Sequence, residues 1–197
     1  MSFPNCRLAN QLRKKGYKRI AGVDEAGRGA LAGPLVAAAV IMPTKRIVGI
    51  KDSKLLSPKK RQALFKLIKK EAVAWGVASV SNKQIDKIGI NPANRLVMQK
   101  AIKILKSKPH YVLIDGNLII QSQIPHQSVV NGDYKIYCIA AASILAKVHR
   151  DNQMLKNHQK FPNYGFDRHK GYGTAFHQKM IKQRGSCPLH RQTFLTL

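Results

Sequence analysis

The chain has 197 residues, 44% of them hydrophobic, with 35 Lys and Arg against 9 Asp and Glu, a formal net charge of +26. That length and apolar content exclude general disorder and allow one globular domain with its own core, while no run approaches the roughly 18 apolar residues of a membrane span. So large an excess of one sign repels itself in a folded chain, which argues for a polyanionic partner, nucleic acid first.

Residues 1–16, MSFPNCRLANQLRKKG, predict a basic arm or a short helix and lack the apolar segment of a signal peptide. YKRIAGVDE, from Tyr17, predicts a strand ending at Asp24 and Glu25, and LVAAAVIM (35–42) a second strand after a glycine-rich turn. Ser57 before Pro58 is a helix start, a capping hydroxyl followed by proline at the first helical position. Leu64, Leu67 and Ile68 form the apolar face of that helix, and lysines take the rest. AVAWGVASV is a third strand; Asn91-Pro92 repeats the start signal for a helix to about Lys106. YVLIDG (111–116) predicts a buried strand broken at Gly116, and SVVNGD (128–133) another short strand. IAAASILAKVHRDNQML predicts a long helix with alanine where packing is close, and Thr174 to Arg184 a last amphipathic helix stopped by Gly185. The order predicts an α/β or α+β layer on a mixed sheet. One domain over residues 1–197 is expected, with a sheet core over about 17–150 and a helical part over about 151–197. Cys6, Cys138 and Cys187 are far apart and odd in number, which suits a reducing compartment; a soluble cytoplasmic protein is the expectation.

Four of the nine acids share one placement. Asp24, Glu25, Asp115 and Asp133 each follow an apolar run at the expected carboxyl end of a strand, where open α/β sheets gather their ligands. Carboxylates brought together there repel and call for a cation or for protons. Hard divalent ions take oxygen ligands, and two of them can clamp the attacking and leaving oxygens of a phosphodiester. Basic side chains would then hold a nucleic-acid backbone that the acidic centre cuts. Of the remaining candidates, Asp52 is expected to order its own loop, Arg150 and Asp151 to form a local helix pair, and His169 to stand near phosphate at most.

AGVDEAGRGALAGP (21–34), followed in order by DSKLL, LIDGN, NGD, AAASILAKVHRD and YGFDRHKGYGT, resembles ribonuclease HII, the type 2 ribonuclease H of bacteria, from about residue 20 to 194. The resemblance implies an RNase H-like α/β fold: a mixed five-stranded sheet flanked by helices, with a helical C-terminal part. It implies an endoribonuclease that hydrolyses the RNA strand of RNA/DNA hybrids. Incision on the 5′ side of single ribonucleotides in duplex DNA is also implied, leaving 3′-hydroxyl and 5′-phosphate. The implied cofactor is Mg2+ or Mn2+, two ions with substrate bound. The family's catalytic and metal-binding acids correspond to Asp24, Glu25, Asp115 and Asp133. Its substrate-binding residues correspond to Gly27, Arg28 and Gly29 against the ribose, Lys54 at a phosphate, and Tyr172 on the following deoxyribose.

Two positions depart from the family pattern: Ala30 replaces a common proline, and Asn131 a common lysine. A monomer is expected. QTFLTL at the C-terminus faintly resembles a sliding-clamp peptide, although a frayed tail or a last packed turn is the more ordinary reading. Three rivals stand beside this reading: a non-catalytic nucleic-acid-binding protein, a type HIII ribonuclease, and another metal-dependent RNase H-like nuclease. Type HIII usually has an extra N-terminal domain, for which this chain has no room, and lacks an arginine like Arg28.

Overall fold

Leu35–Ile41 buries every one of its seven side chains, which requires packing on both faces of the strand. In the computed structural model, which describes residues 4–195, this segment is β2 of a five-stranded sheet ordered β3-β2-β1-β4-β5. In chain order the elements are α1 (Arg7–Lys14), β1 (Ile20–Ala26), β2 (Leu35–Ile41), α2 (Pro58–Glu71), β3 (Ala74–Val80), α3 (Asn82–Ile88), α4 (Ile90–Lys103), β4 (Tyr111–Asp115), β5 (His126–Val129), α5 (Gly132–Lys135), α6 (Tyr137–Lys160), α7 (Phe166–His169) and α8 (Ala175–Arg184). β1–β2 and β2–β3 pair antiparallel; β1–β4 and β4–β5 pair parallel. The sheet is therefore mixed, as its order of strands and helices predicts.

Two apolar layers cover it. One joins Ala38, Val40 and Leu113 to α6, with α1 and α2 outside. The other joins Ala21, Val23, Ala37, Ala39, Val112 and Ile114 to α3 and α4. Gly22 is the reason α6 can lie so close: a Cβ there would overlap the backbone of Cys138 and Ile139. A third, smaller cluster of Ala32, Met154, Tyr164, Phe166 and Cys187 holds the C-terminal helices to the end of α6.

Several boundaries move. β1 starts at Ile20 and continues through both acids to Ala26. β5 begins two residues before the expected strand and ends at Val129, because its parallel register with β4 runs from His126 to Val129. Asp133 consequently sits in α5, after a left-handed turn at Asn131 (φ 56°), and not at a strand end. α3 was not expected at all; Ser81 caps it through the Gln84 N–H. α4 is capped at Gly89 instead of Asn91, and Pro92 is tolerated in its first turn, where no intrahelical N–H is needed. In α2 Ser57 caps as expected and Ile68 is buried, but Leu67 is 39% exposed. No helix among the described residues is long and apolar enough to cross a membrane.

Candidate active site

β1 and β4 run parallel with Val23 opposite Ile114, so Asp24 and Asp115 come side by side at their carboxyl ends. Strand alternation then separates the two adjacent acids. Asp24 shares the α6 face with Ile20, Gly22 and Ala26, while Glu25 follows Ala21 and Val23 onto the α4 face. Asp115 lies on the same face as Leu113 and hence as Asp24. The third carboxylate arrives from α5: the Gly132 and Asp133 N–H groups donate to Asp115 Oδ1 at 2.6 and 3.3 Å, tying that turn to β4. One carboxylate oxygen from each of Asp24, Asp115 and Asp133 lies within 4.8 Å of the other two. Glu25 is outside this trio.

Burial raises the Asp24 carboxyl well above its usual range, and Glu25, Asp115 and Asp133 push the same way; the Glu25 N–H, 2.7 Å from Asp24 Oδ1, opposes them. Asp115 is raised by burial and by Asp133, against three backbone N–H groups. Glu25 is raised by burial and by Asp115, while Arg28 and the Asn94 side chain pull it down. Lys54 Nζ stands 3.3 Å from Asp133 Oδ2. Burial disfavours its ammonium, but Asp133 and Asp52 more than offset that and raise its pKa. Lys54 and Arg28 thus oppose four carboxylates with two charges. The oxygen-only donor set and its unrelieved repulsion fit hard divalent cations.

A cleft of about 430 Å³ runs from Asp24 and Glu25 along Gly27, Arg28 and Gly29 to Lys54 and Tyr172. All five residues expected to bind substrate therefore line one opening, beside the acids. Arg28 Nη2 donates to Asn91 Oδ1 at 2.9 Å. Asp52 accepts from the Lys54 N–H at 2.9 Å and orders its loop, as expected. Lys147 and Ser53 also line the cleft, and sequence reasoning missed both. Lys147 had one available signal, its spacing of four from Asp151, which it meets at 2.8 Å.

The expected Arg150–Asp151 pair does not form. Neighbouring helix residues point about 100° apart; Asp151 instead pairs with Lys147 and with Arg61 at 3.6 Å, and Arg150 is fully buried on another side. His169 is engaged by the backbone, with Nε2 at 2.7 Å from Tyr164 O and Nδ1 accepting from the Gly171 N–H. Gln192–Phe194 form a packed turn whose Gln192 and Thr193 N–H groups donate to Asp86. Thr196 and Leu197 of the clamp-like segment lie outside the described residues.

Comparison with known proteins gives one consistent result. The family model for Ribonuclease HII matches residues 21–197. Ribonuclease HII of Caldicellulosiruptor bescii is 49% identical over 189 residues, covering 95% of this chain and 92% of that protein. Ribonuclease HII of Dechloromonas aromatica is 51% identical over 176 residues, covering 89% and 90%. Among solved structures, ribonuclease H2 from Pyrococcus horikoshii superposes with a TM-score of 0.76 at 30% identity, over 89% of this chain and 93% of that one. RNase HII in the PCNA:RNase HII complex from Archaeoglobus fulgidus gives 0.77 at 26% identity, over 91% and 96%.

Proposed function

The chain belongs to the ribonuclease HII family, and from that premise we propose that Asp24, Glu25, Asp115 and Asp133 are its catalytic and metal-binding acids. The protein is an endoribonuclease acting on RNA/DNA hybrids, with the divalent-metal dependence of its family. The observation that carries the site assignment is the meeting of three aspartate oxygens within 4.8 Å beside a cleft.

In this reading the surface lysines and arginines hold the nucleic-acid backbone, and Asp24, Asp115 and Asp133 hold Mg2+ or Mn2+, two ions with substrate bound, with Glu25 serving from the opposite face of β1. Such ions supply an activated water and neutralise charge on the leaving 3′ oxygen. Lys54, anchored by Asp133 at the cleft edge, contacts a phosphate. Gly27, Arg28 and Gly29 lie against the ribose, whose 2′-hydroxyl both donates and accepts hydrogen bonds and so marks RNA. Tyr172 packs on the deoxyribose that follows, and the cut falls 5′ of the ribonucleotide. The two departures from the family pattern fit the fold: Ala30 is wholly buried, and Asn131 occupies a left-handed turn that asparagine tolerates.

The chain acts in this reading as one catalytic unit and a monomer in the cytoplasm, in keeping with its three free cysteines. The packed turn on Asp86 favours an intramolecular role for Gln192–Phe194 over clamp binding.

The test is a DNA duplex with one ribonucleotide, incubated with Mg2+ or Mn2+ beside an all-DNA control. One cut 5′ of the ribonucleotide is expected, with the control intact. Asp24→Asn combined with Asp133→Asn should lower the rate by about 10³ or more, the scale of a lost electrostatic centre. A double variant as fast as the parent would refute the assignment.

A further inference from the structure

Among the described residues, Arg150 and Arg191 are the two largest fully buried side chains, each 0% exposed. Among the described residues neither forms an ion pair, and a buried charge without a counter-charge is costly. Their donors converge on one segment of main chain. Arg191 donates to Gly27 O at 2.7 Å, Arg28 O at 2.9 Å and Gly33 O at 3.1 Å. Arg150 donates to Pro34 O at 3.0 Å and Ala32 O at 3.1 Å. Five carbonyls of the 27–34 loop are thus drawn inward onto two guanidinium planes.

A trans peptide sets its N–H opposite its C=O. Turning the Gly27 and Arg28 carbonyls inward therefore turns the Arg28 and Gly29 N–H groups toward the cleft, and neither donates to any described residue. The Arg150 guanidinium carbon also lies 5.1 Å from the Tyr172 ring centroid. The Leu31 and Ala32 N–H groups donate to Gly171 O at 2.8 and 3.2 Å, so the loop and the Tyr172 segment are joined directly as well. Burial and the neighbouring Arg150 push Arg191 down to about 10, which leaves it charged at neutral pH.

We propose that Arg150 and Arg191 are positioning residues that lock the 27–34 loop and Tyr172 into one rigid reader of the RNA-to-DNA junction, and so set substrate specificity from beneath the cleft. This rests on the reading that Gly27–Gly29 and Tyr172 touch substrate. Arginine is required because lysine keeps the charge but cannot span three carbonyls in a plane.

The full chain with Arg191→Lys, and separately Arg150→Lys, tests this. The KM for the one-ribonucleotide duplex should rise about tenfold or more, the scale of one or two lost charged hydrogen bonds. The kcat should stay within about threefold, and the Mn2+ activation midpoint should not move. Added guanidinium should lower the raised KM of Arg191→Ala. A purely structural role would lower kcat with the folded fraction and leave KM alone; that pattern, or a folded lysine variant with parental KM, overturns the proposal. Should the lysine variants not fold, Arg191→Gln and Arg150→Gln decide, since each keeps a planar donor without the guanidinium's reach: a folded Gln variant with parental KM overturns the proposal equally. Failure of the underlying reading looks different: the parent does not cut, or Tyr172→Ala leaves KM unchanged.

Discussion

Asp24 concentrates the electrostatic cost of the site in one residue. It is 5% exposed, meets Asp115 and Asp133 at the end of the sheet and also feels the charge of the adjacent Glu25. Because its folded pKa lies above the ordinary 3.8, the fold disfavours its ionised form. The stability it allows is fully present below about pH 3.8 and is lost as pH rises through the folded value. At neutral pH the metal-free protein therefore bears the cost of burying this carboxyl among like charges. Asp24→Asn should raise its melting temperature in the presence of a chelator, by about 2–4 °C per kcal/mol relieved, while abolishing activity. The parent should also gain more from added Mn2+ than the variant does. A variant that melts lower than the parent under chelation contradicts this account.

Two buried histidines, His177 and His190, connect α8 to the C-terminal segment, with the half-buried His169 of α7 stacked on His177. His177 Nδ1 donates to Tyr172 O at 2.9 Å, since a carbonyl can only accept. His177 Nε2 then accepts from His190 Nε2 at 3.1 Å, and His190 Nδ1 accepts from the Cys187 N–H at 2.8 Å. Every ring in this chain is neutral. Burial pushes His177 down to about 4, and His169 and His190 add to the effect; His190 is lowered by burial too. A lowered histidine contributes stability that is whole above the unfolded value of 6.5 and is lost as pH falls toward 4. Unfolding free energies from urea titrations should fall from pH 7 to pH 4 by an amount on the order of 2 kcal/mol. His177→Gln should flatten that dependence. An equal slope in the variant would place the acid sensitivity elsewhere.

Across the whole molecule the nine acids are nearly all spent internally. Four belong to the proposed site, Asp52 caps its turn, Asp86 receives the C-terminal turn, Asp151 takes Lys147 and Arg61, and Asp167 lies 3.3 Å from His158. Glu71, at the end of α2, is exposed. Apart from the buried Arg150 and Arg191 and the few cations paired above, the 35 basic residues therefore have almost no opposing charge. Duplex affinity, measured with the cleavage-deficient double variant, should fall roughly 10³-fold or more between 50 and 200 mM salt if six or more phosphates are contacted. A near-zero slope of log affinity against log salt would show that this charge does not serve binding.

Local signals were legible in the sequence. Apolar runs located all five strands to within a few residues, Ser57 marked a real cap, and ordered motifs singled out four acids, three of which meet, and five expected substrate contacts that line one cleft. Each of these depends on neighbours a few positions away. The tertiary structure alone decided that Asp24 and Glu25 take opposite faces, that Asp133 reaches the site from a short helix, and that Asp151 ignores Arg150. It also placed two buried arginines beneath the glycine loop. Those facts rest on strand register and on contacts such as Lys54–Asp133, 79 residues apart, and Arg191–Gly27, 164 apart. No periodicity or cap spans such a distance; only closure of the sheet and its helices brings those atoms together.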